Sequence, residues 1–444
     1  MPTTKRDGTN SASLTQRFAT PARCHDQPNS HLLFWTFYYF RKCNDACVND
    51  MMRRLLSLIL FAGCAWLEVA CAAAAGRVTG KAFDRIITIW LENQDYAKSV
   101  LDPSITDLAR RGILLTGFYA HTHPSQPNYL AAIGGDYFGL DHDDMVHIPQ
   151  NVSTVVDLLE YKNISWAGYF EDAPGPGYMG NYSKGSSGDD SWDYVRKHNP
   201  FVSYESVIMD GDRLLQLLSF RDFQRAFAAK QVPQFVFMTP NMKNDGHNTS
   251  LTYAADWSHQ FLQPLLDGKA FNERTLIMLT FDESEDYSKP NQIVTLLLGS
   301  AIPPALKGTQ DDTFYTHYSM LSTIQNNWDL PNLGRYDVGA NVFKFVADQT
   351  KYKKNRDPEN RRRVNNSVSY PGLLNGNPAK ALPIPIPNTK LIGAGGRPVL
   401  DSIKTAWSSA AKGKWQTPYD GSGNVFDGDE NLPVYKPAAA NPPR

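Results

Sequence analysis

Phe83-Asp-Arg-Ile-Ile-Thr-Ile-Trp-Leu91 is apolar almost throughout from Ile86 and stops at the polar pair Glu92-Asn93. A short run rich in β-branched and aromatic side chains predicts a strand buried on both faces. Two later stretches have the same form. Gln234-Phe-Val-Phe-Met238 leads into Thr239-Pro-Asn-Met-Lys-Asn-Asp245-Gly-His247, and Thr275-Leu-Ile-Met-Leu-Thr-Phe281 leads into Asp282-Glu283. Open parallel sheets bind ligands beyond the carboxyl ends of their strands, so three such endings predict one shared site. Taken singly, each ending also reads as a helix cap or a plain turn, because Asp, Asn and Gly favour turns. Three of them directly after buried strands favour a site.

Working outward, helical and extended patterns alternate. Ser104 to Gly112 reads as a capped helix, Leu114 to Ala120 as a short strand, Val152 to Tyr161 as a helix and Ser165 to Phe170 as a strand. Asp210 to Ala229, Tyr253 to Leu266 and Met320 to Trp328 read as helices, and Ile293 to Leu298 as another strand. The alternation predicts an α/β fold, a mostly parallel central sheet with helices on both faces. Gly175 to Asp190, rich in Gly, Ser and Asp, reads as a surface loop. After Lys351 the chain turns basic and then proline-rich (Leu382-Pro-Ile-Pro-Ile-Pro387), the pattern of an extended tail wrapped on the domain or partly disordered.

The 444 residues, 42% of them hydrophobic, suffice for one large packed domain. A net charge of −1 gives no electrostatic case for a nucleic-acid or membrane partner. Met51-Met-Arg-Arg54, the apolar run Leu55 to Ala62 and the small residues Cys71 to Ala75 make the three parts of a secretory signal peptide. The expected division is therefore 1–50 as a non-native extension or disordered segment, 51–75 as signal peptide, 76–350 as catalytic domain and 351–444 as a Pro-rich extension. No stable membrane insertion is expected after cleavage. All five cysteines precede Gly76, so the remainder has neither a disulfide nor a thiol nucleophile. Sequons at Asn151, Asn163, Asn181, Asn248 and Asn365 add an expectation of N-glycans on a secreted protein, one that could remain with the cell wall.

The chemistry centres on His121-Thr-His-Pro-Ser-Gln-Pro-Asn-Tyr-Leu-Ala-Ala-Ile-Gly-Gly135. Ser125 stands between Pro124 and Pro127 on a stiffened turn, just ahead of the helical pattern that starts at Tyr129. A hydroxyl there faces the unpaired N–H groups of a helix N-terminus, a natural phosphate position; the plainer reading is an ordinary helix cap. His247 and His317 flank the acidic endings as potential ligands. His121 and His123 precede Ser125, where they could touch phosphate. His198, in Arg196-Lys-His-Asn-Pro200, lies in a basic patch that either meets an anionic substrate or is simply surface.

Glu92-Asn93, Ser125-Gln-Pro-Asn128, Asn241 to His247, Phe281-Asp-Glu283 and His317-Tyr-Ser together resemble the phosphoesterase family of secreted fungal acid phosphatases and bacterial phospholipases C. The resemblance spans about Phe83 to Asp337 and implies an alkaline-phosphatase-like fold. It further implies a phosphate-scavenging, metal-dependent hydrolase in which Ser125 forms a phosphoseryl intermediate and Asn128 bonds the phosphoryl oxygens. Glu92, Asn93, Asp282 and Glu283 would hold a divalent ion (Zn, Mn, Mg or Ca). Asp245, His247 and His317 would hold a second ion or contact phosphate, and His123 and His198 would be substrate-binding. The family's usual superfamily relatives use Asp and His where this chain has Glu92-Asn93 and Asp282-Glu283, which leaves the ion's identity open. The partners implied are small phosphomonoesters. A sulfatase loop would need an arginine that Ser125-Gln-Pro-Asn-Tyr lacks. The alternatives are a phospholipase C-type diesterase and a secreted glycoprotein without turnover.

Overall fold

The structure, a computed structural model, describes residues 77–185, 192–358, 369–410 and 417–424. The expected signal peptide, the 1–50 segment, the cysteines and Asn365 lie outside these residues. The part from Gly76 onward forms one compact unit. Its centre is an eight-stranded sheet in the order β5-β4-β6-β1-β7-β8-β2-β9. The strands are β1 (Arg85–Leu91), β2 (Ile113–Leu115), β4 (Trp166–Phe170), β5 (Leu217–Ser219), β6 (Phe235–Thr239), β7 (Thr275–Phe281), β8 (Thr295–Leu298) and β9 (Thr309–Asp311). Only β8 runs against its neighbours. A small second sheet pairs β3 (Phe118–Tyr119) with β10 (Tyr315–Thr316) in parallel.

The mostly parallel α/β sheet expected from the alternation is present. β1 is buried along its whole length and lies between β6 and β7, in parallel register from Ile86 opposite Phe235 and from Arg85 opposite Thr275. Arg85 opens this central strand with a buried charge, and its guanidinium is satisfied by the carbonyls of Val232, Pro233 and Phe271 and lies over the Phe271 ring. A buried guanidinium is tolerated only with its donors used, which explains a cation at that position.

The helices that matter here are α1 (Pro103–Arg110), α2 (Ser125–Gly134), α3 (Val155–Tyr161), α4 (Phe220–Ala228), α5 (Leu251–Asp267) and α6 (Tyr318–Trp328). α1 is capped by Asp102, whose carboxylate accepts from the N–H groups of Ser104 and Ile105. Every residue of α2 and of α6 is buried, so both are interior helices without a solvent face. α2 ends at Gly135, whose φ of 71° is left-handed and whose Cβ, if present, would meet Arg335 and Asp337.

Two expectations need correction. Asp210 to Ala229 is not one helix: a short helical turn, the edge strand β5 and α4 share it. Ser219 and Asp222 cap α4 reciprocally and stop the preceding strand, a tertiary break that three apolar residues do not announce. Leu114 to Ala120 splits into β2 and β3, which belong to different sheets. The described part of the C-terminal stretch contributes to the interior: Ile386, Val399, Leu400, Ile403, Trp407 and Tyr419 are buried. Tyr370 and Tyr419 both donate to the buried carboxylate of Asp136, just past the end of α2.

Candidate active site

The three acidic endings leave three adjacent strands, β6, β1 and β7, at the middle of the sheet. Glu92, Asp245, Asp282 and Glu283 are all buried. The backbone ties them together: the Glu92 N–H donates to the Asp245 carbonyl at 2.9 Å, and the Asn93 N–H to Asp282 Oδ1 at 3.1 Å. Asn93 itself has a φ of 50°, a left-handed conformation that Asn tolerates better than most residues and that is typical of constrained sites.

Ser125 is the first residue of α2, with Pro124 as its cap residue, so the helix starts earlier than the pattern from Tyr129 suggests. The hydroxyl caps nothing. It lies 3.0 Å from Glu283 Oε1 and 3.2 Å from Glu92 Oε2 and donates towards those oxygens. Asn128 is tied into the turn that carries Ser125. Its Oδ1 accepts from the His121 N–H at 2.8 Å and the Thr122 N–H at 3.3 Å, and its Nδ2 donates to the Thr122 carbonyl at 2.7 Å. It therefore moulds the turn that carries Ser125.

His198 is the main departure from a surface reading. It is buried, with Nε2 against Glu92 Oε1 and Nδ1 3.4 Å from Asp245 Oδ2. Burial works against its charge, but Glu92 and the contact with Asp245 outweigh this and raise its pKa to about 9. The imidazolium in turn holds Glu92 below the usual carboxylate range: burial pulls the other way, and His198, then Lys197, prevail. Asp245, Asp282 and Glu283 are pushed up, chiefly by burial. For Asp282 and Glu283 the negative charge of Glu92 adds to the effect.

His123 meets Glu283 Oε2 through Nδ1 and stacks on Tyr287 with ring centroids 3.7 Å apart. Pairing β3 with β10 brings the His121 and His317 stretches side by side, and their rings lie 5.8 Å apart. His317 donates from Nε2 to the Asp282 carbonyl at 2.7 Å and is kept neutral by burial, its pKa near 4. His247 is exposed and pairs with Asn248, so Asp245, His247 and His317 share no common partner. Sequence reasoning missed Tyr129, whose hydroxyl donates to Glu92 Oε1 at 3.2 Å, and Asp143, which accepts the N–H of Gln126 at 2.9 Å. Both contacts are long in sequence or come from a loop, and no local pattern marks them.

Among the described residues, no three His, Cys, Asp or Glu side chains gather closely enough to close on an ion as they stand. The donor chemistry nevertheless suits a divalent cation. Asn93 Oδ1 and Asp282 Oδ2 are buried oxygens without a hydrogen-bond partner, and the buried carboxyl groups of Glu92, Asp282 and Glu283 repel one another. Clustered carboxyl and amide oxygens, which a cation would relieve of their mutual repulsion, are the donor set that such ions take.

The strand ends and the start of α2 thus bring a buried serine hydroxyl and a group of carboxyl oxygens to one place. The Phosphoesterase family model matches residues 92–331, which include all of these groups, and the chain belongs to that family. It is accordingly an enzyme, a hydrolase of phosphoric esters. An acid phosphatase of Aspergillus fumigatus is 48% identical over 75% of this chain and 74% of its own length. A probable acid phosphatase of Kluyveromyces lactis is 46% identical over 76% and 78%. A phosphatidylinositol-3-phosphatase of Mycobacterium tuberculosis is 30% identical over 57% and 79%. Among solved structures, an alkaline phosphatase superfamily protein from Vibrio parahaemolyticus is similar at 13% identity and a TM-score of 0.37, covering 54% of this chain and 65% of its own.

Proposed function

We propose that the chain is a metal-dependent acid phosphatase that hydrolyses phosphate monoesters through a phosphoserine on Ser125. One observation carries the reading: the Ser125 hydroxyl, free of any capping duty, points at Glu92 and Glu283 on the two central strand ends. As the Oγ–phosphorus bond forms, the ester bond to the leaving oxygen breaks, and the hydroxyl proton, which the Glu92 and Glu283 oxygens hold in the free enzyme, ends on the leaving oxygen, so that the alcohol departs. Water then attacks the phosphoserine, releasing inorganic phosphate and restoring the hydroxyl. Asn128 holds the Ser125 turn, and His198 fixes Glu92 and Asp245. Glu92, Asn93, Asp282 and Glu283 would hold a divalent ion, which lowers the hydroxyl's pKa and neutralises phosphoryl oxygens when bound. Names of relatives at 46–48% identity support the monoester reading.

The test compares p-nitrophenyl phosphate with phosphatidylcholine, before and after exhaustive chelation. Turnover of the monoester that chelation abolishes and metal restores supports the proposal. Preference for phosphatidylcholine would favour the phospholipase reading, and metal-free activity would remove the ion. Secretion belongs to the same proposal. Four of the sequon asparagines, Asn151, Asn163, Asn181 and Asn248, are exposed, as glycan acceptors must be. Among the described residues no helix is long and apolar enough to cross a membrane. Mass spectrometry of culture supernatant should find a first residue near Gly76 and glycans on those asparagines; peptides from 1–50 in that material would refute the processing.

A further inference from the structure

Two segments outside the acidic endings meet beside Ser125. Asp143 comes from the loop after α2, and Lys197 from the turn Arg196–His198. The Asp143 carboxylate bridges two donors: its Oδ1 accepts the N–H of Gln126, the residue after Ser125, at 2.9 Å, and its Oδ2 accepts from Lys197 Nζ at 2.9 Å. The Lys197 side chain is 16% exposed and that of Asp143 30%, so the pair reaches solvent while the residues behind it do not. Next to it the Gln126 side chain is buried, and neither its oxygen nor its nitrogen has a partner.

An acceptor-only, negatively charged group with two oxygens thus already sits between an ammonium and a backbone N–H adjoining the nucleophile. A phosphate monoester presents the same features, with more charge: about −1.5 to −2 near neutral pH, against −1 for a diester. Lys197 is also electrostatically connected to the acids behind it. Burial disfavours its ammonium, yet Glu92, then Asp143, then Asp282 outweigh this and keep it charged. In a site lined by carboxylates, a cation that can leave Asp143 for the substrate has a clear use. It meets the extra charge that distinguishes a monoester.

We propose that Lys197 binds the second negative charge of a phosphate monoester and so selects monoesters over diesters, with Asp143 holding the ammonium beside Ser125 in the free enzyme and giving it up to substrate. The proposal rests on the reading of Ser125 as nucleophile. It differs from a structural account in that Lys197 should affect one substrate class more than the other. A merely structural lysine would affect both alike.

The test measures kcat/KM for p-nitrophenyl phosphate and bis(p-nitrophenyl) phosphate at one pH above 6, with metal supplied. Lys197→Met should lower the monoester value about 30- to 100-fold, in the range of a lost charged hydrogen bond, and the diester value less than about 5-fold. Lys197→Arg, which keeps the charge, should recover most of the monoester rate. Equal losses on both substrates, or no loss on the monoester, would overturn the proposal. Should Lys197→Met fail to fold, Asp143→Asn decides: without the competing charge, inorganic phosphate should inhibit several-fold more tightly, and unchanged or weaker inhibition would refute the bridge. Wild type inert to both esters would remove the phosphatase reading and this proposal with it. An active wild type with an unchanged ratio in Lys197→Met removes only the latter.

Discussion

Ser125→Ala separates the nucleophile from a helix cap, and the structure sets what each effect can be. The hydroxyl bonds no helix N–H; its partners are Glu92 Oε2 and Glu283 Oε1. Neither acid loses its only partner when the hydroxyl goes. Glu92 still faces Tyr129 and His198, and Glu283 still faces His123. The stability cost is then that of ordinary buried hydrogen bonds, about 1 kcal/mol, and the melting temperature should fall by only a few degrees. Activity should behave differently. Losing a covalent nucleophile removes on the order of 10³-fold or more from kcat, equivalent to about 4 kcal/mol of transition-state stabilisation. The assay pairs thermal melting and elemental analysis with acid-quenched turnover of p-nitrophenyl phosphate. In wild type, phosphate should appear on a peptide containing Ser125 and in the variant on none. A Ser125→Ala enzyme that keeps most of its kcat, folded and metal-loaded, would refute the argument and point to a water nucleophile.

Other outcomes follow from the same structure. Asp282→Asn should weaken metal retention and activity together, read by elemental analysis and kcat, because it removes a charged oxygen from a hard-cation site. Asp136→Ala strips the buried acceptor shared by Tyr370 and Tyr419 and removes one of the charges that favour the buried Arg335, itself bonded to Tyr419 at 2.7 Å; with both hydroxyls deprived of that acceptor, denaturant melts should show a loss of about 2–5 kcal/mol. Glu171 accepts from the Asn241 N–H and from Asn244 Nδ2, yet burial outweighs these bonds and raises its pKa above the ordinary value. An acid with a raised folded-state pKa costs nothing below its unfolded pKa and destabilises as pH rises through the folded value. Glu171→Gln should therefore melt higher than wild type at pH 7 and close to it at pH 4, and the reverse order would contradict the burial argument.

Much of the site could be read from the chain because its signals are local. An apolar strand followed by an acid, as at Leu91-Glu92 and Phe281-Asp282, shows both burial and the point where burial stops. The parallel sheet then places such endings on one edge, since every parallel strand delivers its carboxyl end to the same side. Ser125 was visible for a similar reason, because prolines constrain a turn wherever they occur. What the chain alone did not reveal depends on distant segments meeting. His198 reads as part of a basic patch until the Arg196–His198 turn is packed against α2, where Glu92 and Asp245 enclose it. That Asn128 also holds the turn carrying Ser125 shows only once the loop from His121 is in place. Asp143 and Lys197 are ordinary loop charges until folding brings them to the residue after Ser125. Local pattern reports whether a side chain is buried; which partner it finds there is set by packing between elements far apart in sequence, and with it the charge state and role of each polar group.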